Sequence, residues 1–161
     1  MYRKIVTMVL RRAFGDLNPR TYTDLLKRFA PTFEYEFVGD HALGGRRTVL
    51  AAQKAWFERM FRLFPDGEVT VRDVLAAGWP WRTRIMAIWE VRSPAGGGYR
   101  NLVTQYMEMR WFRITKIITL EDTQHLVRAL EGLAADGVAE AAAPPITDDP
   151  ATWHVPSAVQ V

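Results

Sequence analysis

Residues 69–122 read VTVRDVLAAGWPWRTRIMAIWEVRSPAGGGYRNLVTQYMEMRWFRITKIITLED, a run of alternating side chains interrupted only by turn chemistry. Val69 to Leu75 sets Val69, Val71 and Asp73 against Thr70, Arg72 and Val74, with the period of two that a pleated strand imposes. It ends at Ala76-Ala77-Gly78, where glycine can supply a bulge or sharp bend. Pro80, between Trp79 and Trp81, lacks the donor that a central ladder needs and marks an edge, an entry or a bulge. Thr83, Ile85, Ala87, Trp89 and Val91 then line one face of a second strand, with Arg82, Arg84, Met86, Ile88 and Glu90 on the other. Ser93 to Gly98 has the composition of a hairpin loop. Tyr99 to Arg110 is a third strand, and Ile114 to Leu120, rich in β-branched residues, is a fourth.

Outward from this meander, the N-terminal part reads as helices that can cover it. Ile5, Val9, Ala13 and Leu17 recur at helical spacing over Lys4 to Leu17. Asn18-Pro19 restarts the chain as N-cap and first helical position, and a short helix presents Tyr22, Leu25, Leu26 and Phe29. Thr32 to Val38 alternates Phe33, Tyr35 and Phe37 against Glu34 and Glu36. The carboxylate face is either wet or functional, and the pattern leaves open which glutamate faces a pocket. His41 lies in the loop from Gly39 to Gly45 and can titrate near neutrality. A third helix, Thr48 to Phe64, carries Trp56, Phe57, Met60 and Phe61 on one face, and Gln53 on that face must find a partner. Asp122 reads as the N-cap of a last helix through Leu126, Val127, Leu130 and Leu133.

At 161 residues the chain fits one domain, long enough to bury roughly 70% of its unfolded surface. We divide it into a domain over 1–134 and an Ala/Pro-rich tail over 135–161, a linker or lightly packed arm with Trp153 as its one anchor. The 21 basic and 18 acidic residues are dispersed, which argues against nucleic acid as a partner. With 0 cysteines, disulfides and thiolate chemistry are excluded. The three histidines (His41, His125 and His154) are too scattered for a metal site, and no phosphate loop or nucleophile elbow occurs, so no metal or cofactor is expected. The short N-terminal apolar run is broken by Arg11-Arg12, so we read no signal peptide and no membrane partner, and expect a cytoplasmic protein.

The order helix, helix, short strand, helix, four-strand meander and closing helix resembles the cystatin-like, cone-shaped α+β barrel of the nuclear transport factor 2 superfamily. Phe29-Ala30-Pro31 before an aromatic strand, Gly44-Gly45-Arg46-Arg47 before a helix ending Phe61-Arg62-Leu63-Phe64-Pro65, and Lys116-Ile117-Ile118 running into Glu121-Asp122-Thr123-Gln124 resemble its SnoaL-like members. The likeness covers about Ile5 to Leu133. It implies a curved antiparallel sheet and N-terminal helices enclosing an apolar pocket, proton transfer by buried carboxylates, and homodimerisation through the convex sheet face. Trp79, Trp81, Trp89 and Tyr106 are the aromatic surface expected there.

The family's members include polyketide cyclases, ketosteroid isomerases, epoxide hydrolases, dehydratases and non-catalytic modules, so fold alone does not give function. Aligned with the isomerases, Glu36 falls at the general base, Ala13 at the tyrosine oxyanion donor, and Thr104 or Gln105 at the protonated aspartate. The last-strand aspartate of the cyclases falls at Thr119, and the epoxide hydrolase pair falls near Met86 and Ile88, which argues against that chemistry. The expected site has Glu36 as base and His41 as second acid. Phe14, Glu34, Trp56, Met60, Asn101, Val103, Gln105, Met107 and Thr119 are expected around a small apolar, carbonyl-bearing ligand. The expected activity is that of an isomerase, cyclase or lyase, and the alternative is a non-catalytic binding or dimerisation module of the same fold.

Overall fold

The computed structural model describes residues 2–15 and 17–153; His154 and the remainder of the tail lie outside the described residues. Three helical segments and two strands come first: α1 (Tyr2–Gly15), α2 (Tyr22–Leu26), β1 (Phe29–Phe37), β2 (Gly45–Arg47) and α3 (Leu50–Leu63). The meander follows as β3 (Glu68–Trp79), β4 (Arg82–Arg92), a helical turn α4 (Ala95–Gly98), β5 (Arg100–Arg110) and β6 (Arg113–Glu121), closed by α5 (Thr123–Ala135). The six strands form one sheet in the order β2-β1-β6-β5-β4-β3. It is antiparallel as expected, except that β1 and β6 run parallel. A parallel neighbour is what the chain order allows, because helix α3 and the whole meander separate the two strands. The bulge in β3 falls between Val71 and Asp73, not at Gly78. Gly78 instead holds φ at 99°, where an added Cβ would sit 2.2 Å from the Arg82 carbonyl oxygen.

Alternation sorts the meander into two faces. Ile85, Ala87, Trp89, Val103, Met107 and Ile117 are buried beneath the helices, whereas Leu75, Met86, Ile88, Leu102 and Leu120 are exposed on the outer face. Trp89 therefore leaves the expected convex aromatic surface: it stacks on Phe14 of α1 with centroids 4.7 Å apart. Asp122 caps α5 as read, accepting from the backbone N–H groups of Gln124 and His125.

The tail packs far more closely than its composition suggests. Residues 136–153 lie against α3 and α5, with Ile146 at 0% exposure. Arg59 of α3, itself fully buried, donates to the carbonyls of Ala42 (3.0 Å), Pro144 (2.7 Å) and Thr152 (3.0 Å). Arg47 donates to the Ile146 carbonyl (3.0 Å) and to Gln53 Oε1 (3.1 Å), which is the partner Gln53 required. The Asp148 carboxylate accepts from Thr48 and Val49 N–H groups at 2.7 and 3.2 Å and so serves as the cap that α3 lacks locally. A buried cation needs acceptors, and for these two arginines the tail provides them. Among the described residues, no helix is long and apolar enough to cross a membrane.

Candidate functional site

Between the helices and the inner face of the sheet lies a cavity of about 130 Å³. An engineered cavity of about this size holds one benzene ring, which sets the scale of what fits without rearrangement. Phe14 of α1, Trp56 and Met60 of α3, Val103 and Gln105 of β5 and Thr119 of β6 all line it. Asn101 and Met107 share the inward face of β5 and are buried, yet neither reaches the cavity. Met107 lies deeper along the strand, opposite Ile85 and Ile117.

The expected catalytic pair does not reach it either. Glu34 and Glu36 alternate with Phe33, Tyr35 and Phe37, and it is the aromatic face of β1 that turns inward. Glu34 on the outer face bridges Arg46 and Lys116, and the Arg46 hydrogen bond foremost holds its carboxyl below the usual range despite partial burial. Glu36 pairs in register with Arg46 of β2 and Ile118 of β6 on the same outer side. His41 is buried, edge-on to Phe37 with centroids 5.4 Å apart, and burial keeps its imidazole below its ordinary range. It packs between Ala42, α5 and the tail instead of forming a cavity rim.

The carboxyl that does line the cavity is Glu121, at the last position of β6. Burial among apolar walls, reinforced by the charge of Asp122, pushes it up to about 7, against the opposing hydrogen bond from Tyr99. The Tyr99 hydroxyl donates to Glu121 Oε2 at 2.7 Å and accepts from Asn101 Nδ2 at 3.1 Å. Asn101 also donates to the Asp122 carbonyl at 2.9 Å, which fixes the strand end that carries the glutamate. Burial and the neighbouring Glu121 raise Tyr99, so its phenol stays neutral and acts as a donor.

A second polar chain crosses the cavity wall. Trp89 Nε1 donates to Gln105 Oε1 (3.0 Å), Gln105 Nε2 to Thr119 Oγ1 (3.0 Å), and Thr119 Oγ1 to the Tyr35 hydroxyl oxygen (3.3 Å). Each hydroxyl has one proton, so this direction leaves the Tyr35 O–H as the unspent donor at the end of the chain. Its ring lies 5.0 Å from the buried Arg47 guanidinium carbon. Burial raises Tyr35, and the Thr119 hydrogen bond and then the charge of Arg47 partly offset it.

Glu121, Tyr99 and Tyr35 are the residues that sequence reasoning left out. The signal was present: the period of two through Ile117 and Thr119 lands on Glu121, and the one through Asn101 and Val103 lands on Tyr99.

A six-stranded sheet with helices around an apolar cavity is the architecture of the nuclear transport factor 2-like class. The chain belongs to the SnoaL-like domain family, whose model matches residues 10–117, more than half of the sequence. No curated protein matches it in sequence. In fold it is similar to PrhC from Penicillium brasilianum NBRC 6234 at 10% identity, over 85% of this chain and 93% of that one, with a TM-score of 0.68. It is also similar to a nuclear transport factor 2-like protein from Burkholderia xenovorans LB400 at 17% identity, over 79% and 96%, with a TM-score of 0.58. The third likeness is to TerC, co-crystallised with polyporic acid, at 16% identity, over 78% and 97%, with a TM-score of 0.56.

Proposed function

We propose that this protein binds a small, mostly apolar, carbonyl-bearing molecule in the cavity and moves a proton on it, with Glu121 as the acid–base group. The observation that carries this is a carboxyl on an apolar cavity wall that accepts from a phenol and has no cation beside it among the described residues, an environment that pushes it up to about 7. At neutral pH both its forms are populated, which suits a group that must accept a proton and return it. Ionised Glu121 would take a proton from carbon next to the carbonyl. The electron pair moves onto the carbonyl oxygen, which the Tyr35 O–H is placed to stabilise at the end of its hydrogen-bond chain. Return of the proton to another carbon completes an isomerisation; attack by the enolate carbon on a second carbonyl of the same molecule, whose C=O π electrons pass to its oxygen and take the proton back from Glu121, completes a cyclisation. The co-crystallisation of TerC with polyporic acid supports a reading in which this fold takes a small organic molecule.

The test is Glu121→Gln, which keeps the size and a hydrogen bond to Tyr99. With a carbonyl ligand selected by thermal shift, solvent deuterium exchange at its α-carbon should fall on the order of 100-fold or more while binding persists. Exchange at the parent rate would remove Glu121 from the mechanism. Binding without exchange in the parent would leave the non-catalytic pocket as the function.

We also propose that the exposed outer-face residues Met86, Ile88, Leu102 and Leu120 bury themselves in a homodimer. Light scattering should give twice the chain mass, reverting to one on Leu102→Asp, and a monomeric parent at micromolar concentration would refute this.

A further inference from the structure

At the opposite end of the strands from Glu121, two tight turns sit side by side: Pro80-Trp81 between β3 and β4, and Trp111-Phe112 between β5 and β6. The Trp111 N–H donates to the Pro80 carbonyl at 2.6 Å and ties them together. Trp111 and Phe112 hold φ at 50° and 64°, the only non-glycine residues with positive φ among those described. A two-residue hairpin of this hand favours Asn-Gly, and bulky aromatic residues are strained there. The two turns place large rings at the surface. Trp79 and Trp81 stack at 5.7 Å and 4°, Trp111 lies 6.2 Å from Trp81, and the three are 62%, 54% and 66% exposed. Phe112 meets Tyr2 of α1 edge-on at 5.6 Å. Around the rings stand Arg82, Arg84, Arg110 and Arg113, all exposed; residues 79–84 and 110–113 contain no acidic residue, and half-buried Glu108, in register with Arg84, accepts a hydrogen bond from the Tyr106 hydroxyl. From Tyr2, α1 continues the surface with exposed Lys4, Ile5, Met8 and Arg11 and again no acidic residue.

We propose that these joined hairpin tips dock the protein on the headgroup layer of an anionic phospholipid membrane. Tryptophan and phenylalanine rings settle at that level, and guanidinium groups meet phosphate oxygens with two-pronged hydrogen bonds. Charge decides between occupants. A second copy pressed against this tip would bring its own four arginines against these, whereas an anionic lipid surface complements them. The docking is peripheral and separate from the catalytic reading, since none of these residues lines the cavity.

The full-length chain should float with phosphatidylcholine vesicles containing phosphatidylglycerol, with a blue shift of tryptophan emission, and added salt should weaken the binding. The double variant Trp111→Asn/Phe112→Gly suits the turn, so it should melt at or above the parent temperature while vesicle affinity falls on the order of tenfold. Absence of binding, equal binding to phosphatidylcholine alone, or undiminished binding by the double variant would each overturn the proposal. So would self-association of the parent that the double variant abolishes, which would assign the tip to a second copy.

Discussion

Glu140 and Glu121 are both drawn out of water in this protein, and they end in opposite states. Burial opposes ionisation of Glu140, yet hydrogen bonds and charge from Arg62 and Arg59 outweigh it and hold the carboxyl below its usual range. Burial acts on Glu121 in the same way, but its partner is the Tyr99 hydroxyl, and it rises to about 7. The difference lies in the neighbours and not in the side chain. A cation turns a buried carboxylate into a structural tie, and a phenol leaves it able to exchange its proton near neutral pH.

The largest expected effect breaks the tie. Glu140→Ala strands Arg59, which is 0% exposed, without its counter-charge, and should cost about 3–5 kcal/mol in denaturant unfolding. A loss under about 1 kcal/mol would show that the carbonyls of Ala42, Pro144 and Thr152 suffice for Arg59 alone. Because the folded-state pKa of Glu140 is depressed, its contribution is complete above the ordinary carboxylate range and disappears as pH falls through the folded value. Parent and variant should therefore converge only in acid.

Glu121→Gln should show the opposite sign. A raised carboxyl weighs on the fold as pH climbs from its ordinary value near 4.5 to about 7, so the variant should be the more stable protein at pH 8 by up to about 3 kcal/mol. The advantage should disappear in melting curves taken below pH 4. A flat difference across that range would place Glu121 in water and undo the contrast.

The smallest effect belongs to the outer face of β1. Glu34→Gln removes two partly exposed ion pairs and should cost under about 1 kcal/mol. Glu36→Gln should leave any exchange activity at the parent level, and a large loss would restore Glu36 to the site.

Much of the scaffold could be read from the chain because its signals are local. Alternation from Asn101 to Met107 gave the inward face of β5, and the helical stripe containing Trp56 and Met60 gave the wall of α3. The same alternation had already set Tyr35 and Phe37 opposite Glu34 and Glu36. Aligning Glu36 with an isomerase base set that phase information aside, although the aromatic face was the one with surface to bury. Glu121 was hidden by its surroundings, because the β-branched run stops at Leu120 and Asp122 announces a helix, so the strand read one residue short. The packing of the tail is illegible in the sequence for a different reason. Its contacts join Arg59 to Pro144 and Thr48 to Asp148, 85 and 100 residues apart, and no local pattern encodes a partner at that distance.

The parallel seam between β1 and β6 also bears on how the molecule assembles. The meander can form hairpin by hairpin, each turn closing only a few residues of chain. Seating β1 requires closing the long stretch that separates Tyr35 from Thr119, 84 residues apart. Loop entropy makes such a closure late and slow relative to hairpins. Truncating Phe33 should accordingly speed unfolding while leaving the folding rate nearly unchanged, whereas truncating Ile85 in the meander should slow folding. The order has a chemical corollary: the Thr119–Tyr35 link that frees a phenol proton for the cavity forms only when β1 is seated, so a chain with only its meander formed would hold the Tyr99–Glu121 pair before the Tyr35 donor is in place.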